Sequence, residues 1–246
     1  MAEDPDVVYA VSDIGGRETM EDEHVLGVQS VRPLRVLGAV FDGHGGSAVA
    51  RLARERFPAL FLASLPSGPE SAFRRAFVTI QEESRGLPGG AVAAAFHIDG
   101  PQLTVANVGD AHVVAVSGGR ATRLTEDHRL TNDAELQRVV AAGAKIWGPY
   151  VCLPDGAGIM PTRTLGDHEF ERVGVLSEPA ISTHPLAAGF LVAACDGLWD
   201  VMETGEVPGI LQGASTAKEA AERLAHEALH GRRTTDNLTV IVVRVV

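Results

Sequence analysis

The sequence predicts an α+β fold, on three observations. Short apolar runs alternate with polar residues as strands do, tight turns join many of them directly, and helical spacing interrupts them unevenly. Strands linked by short turns are antiparallel, because parallel pairs need long crossovers. Hydrophobic residues at 45% and charged residues at 22% of 246 are ordinary globular values, which excludes wholesale disorder.

Val7–Ile14, Val25–Val31 and Leu34–Phe41 read as strands, with Arg32-Pro33 as the turn between the last two. Ser47–Leu65 follows as a helix: Ala48, Leu52, Phe57 and Leu60 share a face, and Arg51, Arg54, Glu55 and Arg56 lie on another. Pro66-Ser67-Gly68-Pro69 breaks it, and Ser71–Glu83 resumes helical spacing through Phe73, Phe77 and Ile80. A meander comes next, with strands at Ala91–Ile98, Leu103–Val108, Val113–Val116 and Arg120–Leu124. Asn132–Ala142 is helical and stops at Gly143. Trp147–Val173 shows no period and reads as a long functional loop, a flap. Ile181–Thr183 and Phe190–Cys195 are strands, Ser215–His230 is an amphipathic helix, and Leu238–Val246 is a last buried strand. With no linker and no repeat, residues 1–246 are expected to form a single domain.

Charge narrows the functions. Asp+Glu number 32 against 21 Lys+Arg, a net −11, which argues against a nucleic-acid partner needing a basic face. Cys152 and Cys195 are the only cysteines, so neither a disulfide framework nor a cysteine zinc cluster is expected. No apolar run approaches the ~20 residues of a membrane helix. The acidic start is the reverse of a signal peptide, so no membrane partner and a cytoplasmic location are expected.

The chemistry lies in where the acids fall. Strands run into acids at Asp42-Gly43, Gly109-Asp110 and Asp196-Gly197; Asp236 precedes the last strand, and Glu21-Asp22 the second. Any single Asp-Gly is a turn signal. If these strand ends share a rim, the carboxylates repel one another unless cations join them, and oxygen donors suit Mg²⁺ or Mn²⁺. Gly43 leaves its carbonyl open to such an ion. Arg17 offers a planar fork that matches phosphate, and His44 a proton donor near neutral pH. A metal pair ~3.5–4 Å apart activates water for in-line attack on phosphorus.

At this point the chain resembles the metal-dependent protein serine/threonine phosphatases of type 2C. The motifs are Arg17-Glu18-Thr19-Met20-Glu21-Asp22, Phe41 to Gly46, Asn107-Val108-Gly109-Asp110 and Leu124 to His128. Arg163 to Asp167, Cys195 to Asp200 and Asp236-Asn237 complete the set, in the family's order over nearly the whole chain. The resemblance implies a four-layer α-β-β-α sandwich of two antiparallel sheets flanked by helices. It implies that Asp42 bridges two Mg²⁺ or Mn²⁺ ions and Gly43 ligates through its carbonyl. Asp196 and Asp236 complete one shell, while Glu21 and Asp22 act through waters. Asp110 with Asp196 are candidates for a third, weaker ion, with Asp200 in support. Arg17 would bind phosphate and His44 would act as general acid, on phosphoserine and phosphothreonine proteins, a Ser/Thr kinase and its substrates among them.

Gly89-Gly90-Ala91 departs from the family's usual hydroxyl-bearing triplet, as do Ala111-His112 and Pro161-Thr162 from its usual pairs. Two rivals remain. A pseudophosphatase scaffold would have lost metal carboxylates, and none is lost here. A stress-regulator phosphatase acting on anti-sigma antagonists shares the chemistry, but the kept Asp196-Gly197-Leu198-Trp199-Asp200 favours the broader signalling type.

Overall fold

Alternation along the strands builds the two sheets. The computed structural model describes residues 4–246; Met1, Ala2 and Glu3 of the acidic start lie outside them. The strands are β1 (Val8–Asp13), β2 (Glu23–Val31), β3 (Leu34–His44), β4 (Gly90–Asp99), β5 (Gln102–Val108), β6 (His112–Ser117) and β7 (Arg120–Arg123). They continue with β8 (Lys145–Trp147), β9 (Tyr150–Cys152), β10 (Gly158–Ile159), β11 (Leu165–Gly166), β12 (Ala180–Pro185), β13 (Gly189–Ala194) and β14 (Leu238–Val245). Helices are α1 (Ala48–Ser64), α2 (Pro69–Glu83), α3 (Asp133–Ala141), α4 (Asp196–Trp199), α5 (Val207–Ile210) and α6 (Ala217–His226).

One sheet runs β12-β5-β4-β3-β2, with β11 paired to the free end of β4; the other runs β1-β14-β13-β6-β7. All their strand pairs are antiparallel. In β3, Val36 and Val40 face the second sheet, while Leu37, Ala39 and Phe41 face the helices. Strand β4 repeats the division, with Val92, Ala94 and Phe96 between the sheets and Ala91, Ala93 and Ala95 under α1 and α2. On the other side, Val192 of β13 and Val240 and Val242 of β14 pack on Leu224 and Ala221 of α6. The layers are thus helix, sheet, sheet, helix, as expected. Gly38 is required at the sheet interface: a Cβ there would lie 2.3 Å from the ring of Phe96.

Three local expectations need correction. The buried stripe of α1 is Val49, Ala50, Ala53, Phe57 and Phe61, so Ala48, Leu52 and Leu60 only flank it. Phe57 sets this rotation by meeting Phe41, Phe61, Phe73 and Phe77 at once. The flap is not a loop without structure. It holds the sheet β10-β9-β8, strand β11 and a 3₁₀ helix at His168–Val173, fastened to α3 by Val139, Val151, Leu153 and Phe170. Strands of two or three residues are too short to display alternation. Strand β3 also runs past Phe41 to His44, because Asp42, Gly43 and His44 stay in register with Val92, Ala91 and Gly90.

Candidate metal centre and active site

Sheet register explains why distant acids meet. Glu23 opposes Phe41, which brings Glu21 and Asp22 alongside Asp42. Ala194 opposes Val240, which sets Asp196 and Asp236 at the same end of the second sheet. Stacking the sheets superposes these ends, and Asn237 ties them: its Oδ1 accepts from the Glu21 N–H at 2.8 Å, and its Nδ2 donates to the carbonyls of Ile14 and Thr19.

A cleft of about 640 Å³ opens over the junction. Arg17, Glu21, Asp42, Gly43, His44, Asp110, Asp196 and Asp236 line it, and Asp22 lies buried beside Asp42. Except for Asp200, which reaches the group through Arg129, the residues singled out in the sequence gather in one place. Gly43 tolerates no side chain, since a Cβ would sit 2.5 Å from the Glu21 carbonyl oxygen.

The acids are crowded beyond what a metal-free site can hold ionised. Burial first, then the charges of Asp196, Asp22 and Asp110, pushes the Asp42 carboxyl well above the usual range. Burial, with Asp110 and Asp200 adding to it, pushes Asp196 up to about 7, and burial pushes Asp22 up to about 6. Asp22 Oδ2 is buried without a hydrogen-bond partner, and Asp22, Asp42 and Cys195 can offer ligand atoms within 4.8 Å of one another. An orphaned carboxylate oxygen among raised carboxylates is a donor set that fits hard divalent cations. Cys195 is the odd member: its buried thiol is held protonated, so the oxygens supply the charge.

Two basic groups flank this centre. Arg17 Nη2 donates to Asp236 Oδ2 at 2.7 Å from an exposed side chain at the mouth. Arg129 reaches Asp110, Asp200 and Asp196 through three different nitrogens, at 2.5, 2.9 and 3.3 Å.

His44 does not stand alone. Its Nε2 meets Asp167 Oδ2 at 2.6 Å, directly over Gly90, where a Cβ would lie 2.0 Å from that oxygen and 2.8 Å from Nε2. Burial would lower the imidazole pKa, but the bond to Asp167 and its charge more than offset that and raise it. Asp167 is presented in a left-handed conformation (φ +46°), held by Gln81 of α2. The Gln81 amide donates to the Gly166 carbonyl at 3.0 Å and accepts from the Gly166 N–H at 2.7 Å.

Sequence reasoning assigned no role to Arg129, Asp167, Gly90 or Gln81. Asp167 and Gly90 stood within noted motifs, but their meeting depends on the row His44–Gly90–Gly166 across three strands. Arg129 carries no sequence signal for its partners.

Fold and site together define a class: α+β sandwich proteins with an oxygen-donor metal centre at the shared edge of two sheets. A family profile described as protein phosphatase 2C matches residues 10–238. The chain belongs to the protein phosphatase 2C family. It is 34% identical over 248 residues to "Probable protein phosphatase 2C 11" of Arabidopsis thaliana, covering 96% of this chain and 66% of that protein. It is equally 34% identical over 252 residues to a "Protein kinase and PP2C-like domain-containing protein" of the same plant, covering 93% of this chain and 38% of the relative. The chain thus spans only part of these relatives' length. Among solved structures, the serine-threonine phosphatase 2C of Toxoplasma gondii matches with a TM-score of 0.79 at 17% identity, covering 96% of this chain and 94% of that one. A Caenorhabditis elegans sex determining protein matches with a TM-score of 0.83 at 20% identity, covering 99% of this chain and 66% of that one.

Proposed function

We propose that this chain is a Mg²⁺- or Mn²⁺-dependent phosphatase that removes phosphate from phosphoserine and phosphothreonine in proteins. The observation that carries the reading is the meeting of Asp22, Asp42, Asp196 and Asp236 under one cleft, with an unpartnered carboxylate oxygen among them and Arg17 at its mouth. Asp42, the Gly43 carbonyl, Asp196 and Asp236 would hold the two ions, with Glu21 and Asp22 in support. Bound divalent ions supply Lewis acidity and a water acidic enough to attack phosphorus near neutral pH.

The chain's own residues do the rest. Arg17 exchanges Asp236 for two phosphate oxygens, to which its fork is matched. His44, its pKa raised by Asp167, is kept protonated and supplies a proton to the departing seryl or threonyl oxygen. The flap, which places Tyr150, Ile159 and Met160 on the cleft wall, shapes access for the substrate protein. The chain works as a single catalytic domain in the cytoplasm, without nucleic-acid or membrane partners. No described helix is long and apolar enough to cross a membrane. The kinase named in one relative supports a Ser/Thr kinase and its substrates as partners.

The test is hydrolysis of p-nitrophenyl phosphate and of phosphothreonine peptides by metal-stripped protein, with and without Mn²⁺. Mn²⁺-dependent turnover that EDTA abolishes and Asp42→Asn removes is expected. Turnover that ignores EDTA would overturn the metal dependence, and partner binding without any turnover would replace the enzyme with a scaffold.

A further inference from the structure

The loop that carries Arg129 is tied down on both sides. On its N-terminal side, the His128 N–H donates to the Gly109 carbonyl at 3.2 Å, His128 Nδ1 accepts from the Gly109 N–H at 3.1 Å, and Asn107 Nδ2 donates to the Glu126 carbonyl at 2.7 Å. On its C-terminal side, the Asn132 N–H donates to the Arg129 carbonyl at 3.0 Å. The loop is therefore fastened to the same Gly109-Asp110 turn that supplies one of the guanidinium's partners.

The side chain spends its whole fork on acids. Nε takes Asp110, whose side chain is 6% exposed, Nη2 takes Asp196, and Nη1 takes the more open Asp200. Three separate nitrogens on three carboxylates is the geometry a rigid, delocalised cation satisfies and an ammonium cannot. It also decides what else can bind. Mg²⁺ draws its oxygens in to about 2.0–2.1 Å in a near-octahedral shell. A guanidinium lying between the same carboxylates holds them apart by the width of the group plus two hydrogen bonds. The two cations exclude each other.

We propose that Arg129 is a resident cation of the Asp110–Asp196–Asp200 group, occupying the place of a third divalent ion and limiting this chain to two. The inference rests on the metal-dependent reading above. Arg129 is a positioning residue, acting on Asp110 and Asp196 and not on substrate.

The experiment counts Mn²⁺ on the metal-stripped full chain by calorimetric titration and equilibrium dialysis, for wild type and Arg129→Met. Two ions on the wild type and three on Arg129→Met are expected, the third binding at least tenfold more tightly than any residual third binding by the wild type. The same number and affinities in both proteins, or fewer ions on the variant, would overturn the proposal. Binding of no Mn²⁺ by either protein would overturn the metal-dependent reading along with it. Crystals of the wild type in saturating Mn²⁺ give a second reading that needs no variant. Arg129 should keep its place, whereas an anomalous peak between Asp110 and Asp196 would sink the idea.

Discussion

The two sides of the acidic rim handle the same electrostatic difficulty in opposite ways. On one side, Asp110, Asp196 and Asp200 share the guanidinium of Arg129. On the other, Asp22 and Asp42 have no basic ion-pair partner among the described residues, and one oxygen of Asp22 has no hydrogen bond at all. The first side answers part of its charge from its own atoms, one guanidinium among three carboxylates. The second must protonate or take up ions from solution, because like charges that close cannot all stay ionised.

Asp42→Asn attacks the uncompensated side and should have the largest effect. Loss of a central ligand should lower turnover by about 10³-fold or more. Removing an uncompensated buried charge should at the same time raise the melting temperature of the metal-free protein. A variant that lost activity and also melted lower in EDTA would show that Asp42 is already neutralised by the protein.

His44→Asn and Asp167→Asn come next. Loss of the proton donor should cost about 10²-fold or more on phosphothreonine peptides. The cost should be smaller on p-nitrophenyl phosphate, whose leaving group needs less help. Gly90→Ala, which drives a methyl between the two groups, should resemble Asp167→Asn while leaving Mn²⁺ affinity unchanged. Equal losses on both substrates would remove the proton-transfer role.

The pH dependence of stability sharpens the contrast more gently. In the folded metal-free protein, Asp22 titrates at about 6 and Asp196 at about 7, both above the ~4 of an unfolded chain. Groups with raised folded pKa values favour the native state below the unfolded pKa, and that contribution disappears as pH climbs through 6 and 7. Metal-free protein should therefore melt lower at pH 8 than at pH 5, with a stability difference of about 4 kcal/mol. Saturating Mn²⁺ should flatten the slope. An unchanged slope with Mn²⁺ would mean that the ions do not sit on these acids.

Leu224→Ala should alter the rim least. Leu224 is fully buried between α6 and the second sheet, so its loss should cost about 2–5 kcal/mol of stability. Turnover per folded molecule and Mn²⁺ affinity should not change, as checked by urea titration beside an activity assay.

Much of this architecture was legible before any coordinates. The strand runs of both sheets, α2 with Phe73, Phe77 and Ile80, and the acids at the strand ends all follow from alternation and turn chemistry. The face of α1 did not, because its burial is set by an aromatic cluster drawn from three elements. Nor did the flap strands, which are held by Val151, Leu153 and Phe170 under α3 more than by any repeat of their own.

The linear order of residues was enough to say which side chains could carry the chemistry, since an acid at a strand end is a local feature written in neighbours one or two positions away. It could not say which of those acids are answered from within. Arg129 stands 67 positions from Asp196, and Asp167 stands 123 from His44. Ion pairs and hydrogen bonds act over about 3 Å of space, whatever the distance along the chain. Only when the two sheets close and the loops are tied down does one carboxylate acquire a guanidinium and its neighbour none.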